Sequence, residues 1–358
     1  MAANALRTAL CLLFFALSGA LATPAISCKN NKGEAVDWFT FYKLPGRQSN
    51  EHTETGLDYL YLDSTMQSWR KSQHLMNSSR SVLGRTLQQL YEAYTSKSNS
   101  TAYIIYNDGV PKSMNYSRKY GHTKGLLVWN RVQGFWLIHS IPGFPPIPED
   151  GYNYPTSGRR NAQSGMCITF KYSQFEAIDS QLLVSQPNIY SCSIPTTFHW
   201  ELIHMPQLCA KSSSTKIPRR SLATLQSAQG LNFFHFAKSD AYTHDIFTAW
   251  MAPWLKTHLL AETWQRTTHE ELHSNCSLPY HVHNIKVIHV PHHFYFSSTH
   301  DHSKWCVSTK DSKNRWVCIG DLNRSPSQAF RGGGFICTKN RYIYRSFYRL
   351  VSKYESCV

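Results

Sequence analysis

An α/β fold built twice is what this sequence predicts, with two halves that each carry a His-x-Lys hairpin and meet at one cleft. Three observations carry that prediction. The first is a repeated motif, Gly121-His122-Thr123-Lys124-Gly125 and Asp301-His302-Ser303-Lys304-Trp305-Cys306-Val307, each in a run of strand-forming residues. Side chains alternate along a strand, so the histidine and lysine of each motif are expected on one face. The second is register: Trp136 follows His122 by the same count as Trp316 follows His302, and repeats at fixed spacing signal duplicated architecture. The third is that Asn232-Phe233-Phe234-His235-Phe236-Ala237-Lys238 echoes Asp37-Trp38-Phe39-Thr40-Phe41-Tyr42-Lys43. Each half then reads strand, helix, strand, hairpin, an order that favours α/β.

The elements follow in chain order. Arg7, the apolar run from Ala9 to Leu17 and the small residues Ala20, Ala22 and Ala25 make residues 1–25 a signal peptide, too short in its apolar part to span a bilayer. Residues 26–150 form the first half. Within it, Val36 to Pro45 is an aromatic strand, and 46–80 is polar and turn-rich. Ser81 to Tyr94 places Leu83, Leu87, Leu90, Tyr91 and Tyr94 at helical spacing. Thr101 to Tyr106 is a strand closed by Asn107-Asp108-Gly109. His122 to Trp129 and Phe135 to Ile141 make a hairpin, and Pro142 to Pro148 is an exit loop. Residues 151–220 read as an intervening segment. In the second half, 221–358, Ile246 to Leu260 is helical around Pro253, Asn284 to Val290 alternates as a strand, and His302 to Ser308 with Trp316 to Ile319 forms the second hairpin.

The chain has 358 residues, a formal charge of +15 at pH 7 and 18 histidines. A surface this basic suits a polyanionic partner, and acid would add to the charge by protonating histidines. No stretch after the signal is long and apolar enough for a membrane span. Of ten cysteines, Cys11 lies in the signal; the nine that remain entered an oxidising route, so disulfides and one odd thiol are expected. Sequons stand at Asn77, Asn99, Asn115, Asn275 and Asn323.

The chemistry follows from the repeated motif. A neutral imidazole can attack phosphorus, and a protonated one can give a proton to the departing oxygen. His122 and His302 fill those roles, with Lys124 and Lys304 stabilising charge on the non-bridging oxygens. No metal or other cofactor enters this scheme. Asn323, in Gly320-Asp321-Leu322-Asn323-Arg324, is a candidate phosphate donor, in which case its sequon stays unfilled; by count from the histidine its counterpart is Gly143. His139 is a weaker substrate-binding candidate. Cys306 reads as a buried thiol. Arg331-Gly332-Gly333-Gly334 is either an approach for phosphate or a plain turn. His292, His293, His300 and His302 lack the spacing of a structural zinc site.

Six segments, Val36 to Pro45, Gly121 to Gly125, Gly134 to Pro142, Asp301 to Val307, Gly320 to Arg324 and Arg331 to Gly334, closely resemble the deoxyribonuclease II family across nearly the whole mature chain. The resemblance implies an acid endodeoxyribonuclease acting on DNA without divalent metal, leaving 3′-phosphate and 5′-hydroxyl ends through a phosphohistidine. It also implies a phospholipase D-like pseudo-dimer, residence in the lysosome with some secretion, and, by superfamily analogy, His122 as nucleophile and His302 as general acid. The superfamily's aspartate five residues beyond the lysine is absent here, replaced by Trp129 and Thr309. Family disulfides carry over to Cys28 with Cys167, Cys276 with Cys357 and Cys318 with Cys337. Pairing Cys192 with Cys209 would then leave Cys306 odd. Glycans are expected at Asn77, Asn99, Asn115 and Asn275. Two other readings share these residues: a phospholipase D-type lipid phosphodiesterase, and an inactive secreted polyanion-binding protein. The sequence leaves open a homodimer as the working unit.

Overall fold

The computed structural model describes residues 25–48, 53–113, 116–212, 215–264, 272–291 and 294–357. The expected signal therefore lies outside the described residues but for Ala25, as do Asn115, His292 and His293. Two large sheets dominate, the first antiparallel in its described pairings and the second mixed. The first runs Ile189–Ser193, Ala102–Asn107, Lys124–Trp129, Gln133–His139, Gln163–Lys171, Trp38–Lys43, Tyr59–Asp63, Arg70–Lys71. In the second, Leu259–Glu262, Trp305–Ser308, Val317–Gly320, Gly333–Thr338 and Asn232–Lys238 stand side by side in the same order as the first sheet's five central strands from Ala102 to Lys43. Among the described residues, no helix is long and apolar enough to cross a membrane.

Strand alternation sorts the core into three layers. Trp38, Tyr42, Ile104, Leu127, Trp129 and Ile168 from one sheet meet Phe233, Leu260, Trp305, Val307, Ile319 and Ile336 from the other in a shared central cluster. The opposite face of the first sheet presents Phe39, Phe41, Leu126, Val128 and Leu137 to Leu83, Leu87 and Leu90 of the Val82–Thr95 helix. Each of those leucines, fully buried, contributes about 1.5–3 kcal/mol. The Ser81 hydroxyl caps this helix by accepting from the Gly84 amide at 3.0 Å. Gly84 admits no side chain, since a Cβ would lie 2.6 Å from the carbonyl oxygens of Ser78 and Ser79. The outer face of the second sheet packs on Phe247, Trp250, Met251 and Leu255.

Several expectations are corrected. Residues 151–220 do not simply intervene: Gln163–Lys171 is a central strand of the first sheet, and the Phe175–Ser185 helix adds Phe175, Ile178 and Leu182 to the central cluster. A strand enclosed on both faces carries no alternation to give it away. The stretch Ile246 to Leu260 is not one helix, because Lys256 turns left-handed (φ 54°) and Leu259–Glu262 joins the sheet. Tyr59–Asp63, inside the polar stretch 46–80, pairs with Trp38–Lys43.

The tryptophan register also misleads. Gly134 pairs with Trp129, whereas Val317 pairs with Val307, so the second hairpin's turn is one residue longer. Beyond the turn the halves are offset by 181, not 180, and Val317, not Trp316, stands at the place of Trp136. One residue flips the face. Trp136 lies in the central cluster and Trp316 on the second sheet's outer side, beside Phe234 and Trp254.

All four disulfides carried over or inferred are formed: Cys28–Cys167, Cys192–Cys209, Cys276–Cys357 and Cys318–Cys337, with Cys306 a buried free thiol whose ionisation burial opposes. A less visible duplication is a pair of lysines that pin loops. Lys43 donates to the carbonyls of Arg159, at 2.8 Å, and Asn161. Lys238, at the matching strand end, donates to those of Ala329, at 2.9 Å, and Arg331. Replacing either with methionine strands two carbonyls that are costly to leave unpaired. Urea unfolding at neutral pH should show a loss of about 2–4 kcal/mol for each of Lys43→Met and Lys238→Met; an unchanged midpoint in both would remove the pinning role.

Candidate functional site

His122 and His302 do not lie within regular strands, as expected, but in the extended residues leading into Lys124–Trp129 and Trp305–Ser308. The reason is where their backbone bonds go. The amide of His122 donates to the carbonyl of Gly332 at 2.8 Å, and that of His302 donates to Ala162 at 2.9 Å, each partner belonging to the other half. Gly121 makes the first approach feasible, because a Cβ there would stand 2.1 Å from the Ser185 oxygen and 2.9 Å from that of Gly332.

The rings cross over too. His122 Nδ1 lies 2.5 Å from the carbonyl oxygen of Asp321, and His302 Nδ1 lies 3.0 Å from that of Ser140. Ser140 and Asp321 are equivalent, since their amides bond to Ser164 and Gly334 at the starts of matching strands. A carbonyl only accepts, so Nδ1 carries the hydrogen in both rings and Nε2 is the reactive nitrogen. The Gln163 side-chain oxygen, 3.2 Å from His302 Nδ1, enforces the same tautomer there.

Beside His122 lies a carboxylate that sequence reasoning did not single out. Asp108 ends the Ala102–Asn107 strand; its Oδ1 accepts from Lys124 Nζ at 2.5 Å, and its Oδ2 is 3.7 Å from His122 Nε2 and 3.8 Å from Arg331 NH2. Arg331 is held by donation to the Tyr120 carbonyl at 3.0 Å. Around His302 the polar set differs. Lys304 donates to the His302 carbonyl, Asp301 takes the hydroxyl of Tyr42 and the Ser303 amide, and the Trp264 ring meets the imidazole edge-to-face at 4.7 Å. The only available signal for Asp108 was its position directly after a strand.

Exposure ranks the four motif residues. His122 and His302 keep 9% and 8% of their surface, while Lys124 and Lys304 keep 2% and 0%. The lysine side chains thus lie deeper than the histidines. Burial, then Lys124, pushes His122 down to about 3, with Asp108 opposing and Lys304 and Arg331 adding to the fall. His302 is driven well below its usual value by burial, then by Lys304, Lys124 and His122, and the Ser140 carbonyl opposes. Each histidine feels the other half's lysine, so the two motifs form one electrostatic unit. Burial would raise Asp108, but Lys124 and His122 hold it below the carboxylate range. Burial lowers Lys304, reinforced by Lys124.

Other candidates fall into place around this centre. Asn323 is half-buried at the rim, its Oδ1 accepting from the Trp264 amide at 3.2 Å. Its counterpart by register is Pro142 and not Gly143, because of the longer turn. His139 is fully buried against Phe144, its Nδ1 accepting from the Ile141 amide at 3.1 Å, and burial then Lys124 push it down to about 3. The Arg331-Gly332-Gly333-Gly334 run is a cross-half contact that receives the His122 amide. Among the described residues, one group has metal-ligand proximity, Cys276, His283 and Cys357, and its two sulfurs are joined to each other.

A duplicated α/β fold whose halves exchange hydrogen bonds to two tautomer-fixed histidines over a basic centre defines a paired-imidazole site. The pattern of the Deoxyribonuclease II family matches residues 27–357, and the chain belongs to that family. It is 72% identical over 357 residues to human Deoxyribonuclease-2-beta, covering 100% of this chain and 99% of that protein. Plancitoxin-1 of Acanthaster planci is 36% identical over 336 residues, 93% of each chain. Mouse Deoxyribonuclease-2-alpha is 35% identical over 339 residues, 93% of this chain and 94% of the other.

Asp321 supplies a check on these electrostatics. Burial lifts its carboxyl to about 7, although the Gly334 amide, 2.9 Å from Oδ1, opposes. A carboxyl raised in the folded state stabilises the fold at low pH and loses that contribution as pH rises through the folded value. An asparagine side chain in its place would keep the acceptor and never ionise. Between pH 4 and 7 the stability of Asp321→Asn relative to the unaltered protein should therefore rise with pH, by up to about 1.4 kcal/mol per unit. Parallel melting curves across that range would give a constant difference if Asp321 titrates normally.

Proposed function

We propose that this chain is an acid endodeoxyribonuclease that hydrolyses DNA phosphodiester bonds without divalent metal, through a phosphohistidine, and leaves 3′-phosphate and 5′-hydroxyl ends. The observation that carries the proposal is the pair of Nε2 atoms, each freed for chemistry by a carbonyl from the opposite half that occupies Nδ1. One neutral imidazole attacks phosphorus and the other, protonated, releases the 5′ oxygen. Lys124, Lys304 and Arg331 supply the positive field in which the phosphorane's charge develops, acting from behind the histidines. Asn323, with Oδ1 engaged, would offer its amide hydrogens to a phosphate oxygen at the rim. A single chain completes the site, so we take a monomer as sufficient. We read the equal strand orders as a pseudo-dimer of the phospholipase D type.

The acid requirement follows from sign. A histidine whose proton affinity is depressed by burial and lysines is protonated only in acid, and a bound phosphodiester anion shifts it back up. Activity should thus fall as pH rises toward neutrality, with the rise in pH emptying the proton-donating histidine.

Plasmid cleavage from pH 4 to 8 in EDTA tests this reading. We expect activity concentrated below neutrality, with His122→Ala and His302→Ala each lowering it by about 10³-fold or more while keeping their melting temperatures. Full cleavage by either variant, or an absolute need for added divalent metal, would overturn it. We also place the protein in the lysosome with some secretion, which fits its disulfides. Glycopeptide mapping should find sugar at the exposed Asn77 and Asn99 and none at the half-buried, hydrogen-bonded Asn323; a filled Asn323 would remove it from the site.

A further inference from the structure

The two halves are not equal around their histidines, and the difference in charge sits at one position. Gly125 pairs with Tyr106 in the first sheet, and its equivalent Trp305 pairs with Glu262 in the second. Two residues further on, Asp108 in the first half stands where Trp264 stands in the second. Asp108 faces His122 Nε2 at 3.7 Å, whereas Trp264 presents a neutral indole to His302 at 4.7 Å.

Resting on the paired-histidine reading above, we propose that Asp108 and Trp264 divide the labour: Asp108 is the positioning residue that makes His122 the proton donor, and His302, which has no such carboxylate among the described residues, is the nucleophile. This reverses the order expected from superfamily analogy. The groups around each ring support it. His122 is faced by Asp108, Lys124 and, from the other half, Arg331, Lys304 and the Asp321 carbonyl. His302 is faced by Lys304, Lys124, His122, the Ser140 carbonyl, the Gln163 side-chain oxygen and Trp264. Three cations and a carboxylate surround one imidazole. Among the described residues the other has no carboxylate facing its Nε2, and burial opposes ionisation of the adjoining Asp301, so a proton shared between the rings rests on His122.

The steps balance as follows. The Nε2 lone pair of neutral His302 forms an N–P bond, the P–O5′ bond breaks, and O5′ takes the proton of His122 Nε2 to leave as a 5′-hydroxyl. Water then attacks phosphorus and gives its proton to the now neutral His122. The N–P electrons return to His302, and a 3′-phosphate monoester departs.

A substrate whose leaving group needs no proton separates the roles. With thymidine 3′-(4-nitrophenyl phosphate), His122→Ala should release a burst of about one 4-nitrophenol per chain and retain a nucleotide on the His302 peptide, because attack is intact and hydrolysis is not. His302→Ala should give no burst. A burst from His302→Ala with the adduct on His122, or no burst from either folded variant, would overturn the assignment. DNA cleavage by both variants would instead remove the paired-histidine reading itself. In Asp108→Asn, the alkaline limb of the pH profile on DNA should move down by about one unit, with the burst rate on the ester less affected. A purely structural Asp108 would depress both substrates equally at every pH.

Discussion

The site depends on one constraint, that neither half can hold its own histidine. Each imidazole is fixed by an amide-to-carbonyl bond and an Nδ1-to-carbonyl bond that both reach across, to Gly332 and Asp321 from His122, and to Ala162 and Ser140 from His302. Each of these four carbonyls lies one residue beyond the end of a paired strand, so the rings are tied to both sheets. The same bonds decide chemistry, since a carbonyl at Nδ1 commits Nε2 to the reaction. Packing of the two sheets and fixing of both tautomers are therefore tied together, with the central cluster lying between the sheets.

Cations so deeply buried need explanation, because burial alone would neutralise them. Lys43 and Lys238 are satisfied by pairs of carbonyls, Lys124 by Asp108, and Lys304 by its own motif's carbonyl with Asp301 and Glu262 near enough to oppose the loss of its charge. Glu262 is fully buried with neither oxygen hydrogen-bonded among the described residues, and burial then Asp301 raise it well above its normal range. In the second half burial thus opposes ionisation of the carboxyls that lie beside a lysine. The first half keeps an ionised one. That contrast separates two motifs that are identical in the letters His-x-Lys.

Much of this was legible in the letters. The repeated motifs, the helix after Ser81, the echo of Asp37–Lys43 in Asn232–Lys238 and the family resemblance located the two histidines and the disulfides. What escaped has physical causes. Gln163–Lys171 is buried on both faces and so shows no periodicity. The longer second turn changes register by one, which counting along the chain cannot see, and it moved both Trp316 and the supposed counterpart of Asn323. Asp108 sits 14 residues before His122 at a strand end, and only strand pairing brings it to the ring.

Duplicated sites begin with two equivalent groups, yet an acid and a nucleophile must differ. The shared bonds could not supply that difference, because they are the same in both halves and set only the tautomer. It has to come from a position that the symmetry makes equivalent but the sequence does not. Asp108 and Trp264 meet that condition, as does Gln163 against Gly333 on the other side of the rings. A carboxylate at 3.7 Å in surroundings of low polarizability biases a proton strongly, whereas an indole carries no net charge. Symmetry in the backbone fixes where the two nitrogens stand. In the assignment we propose, asymmetry at Asp108 decides which of them carries the proton.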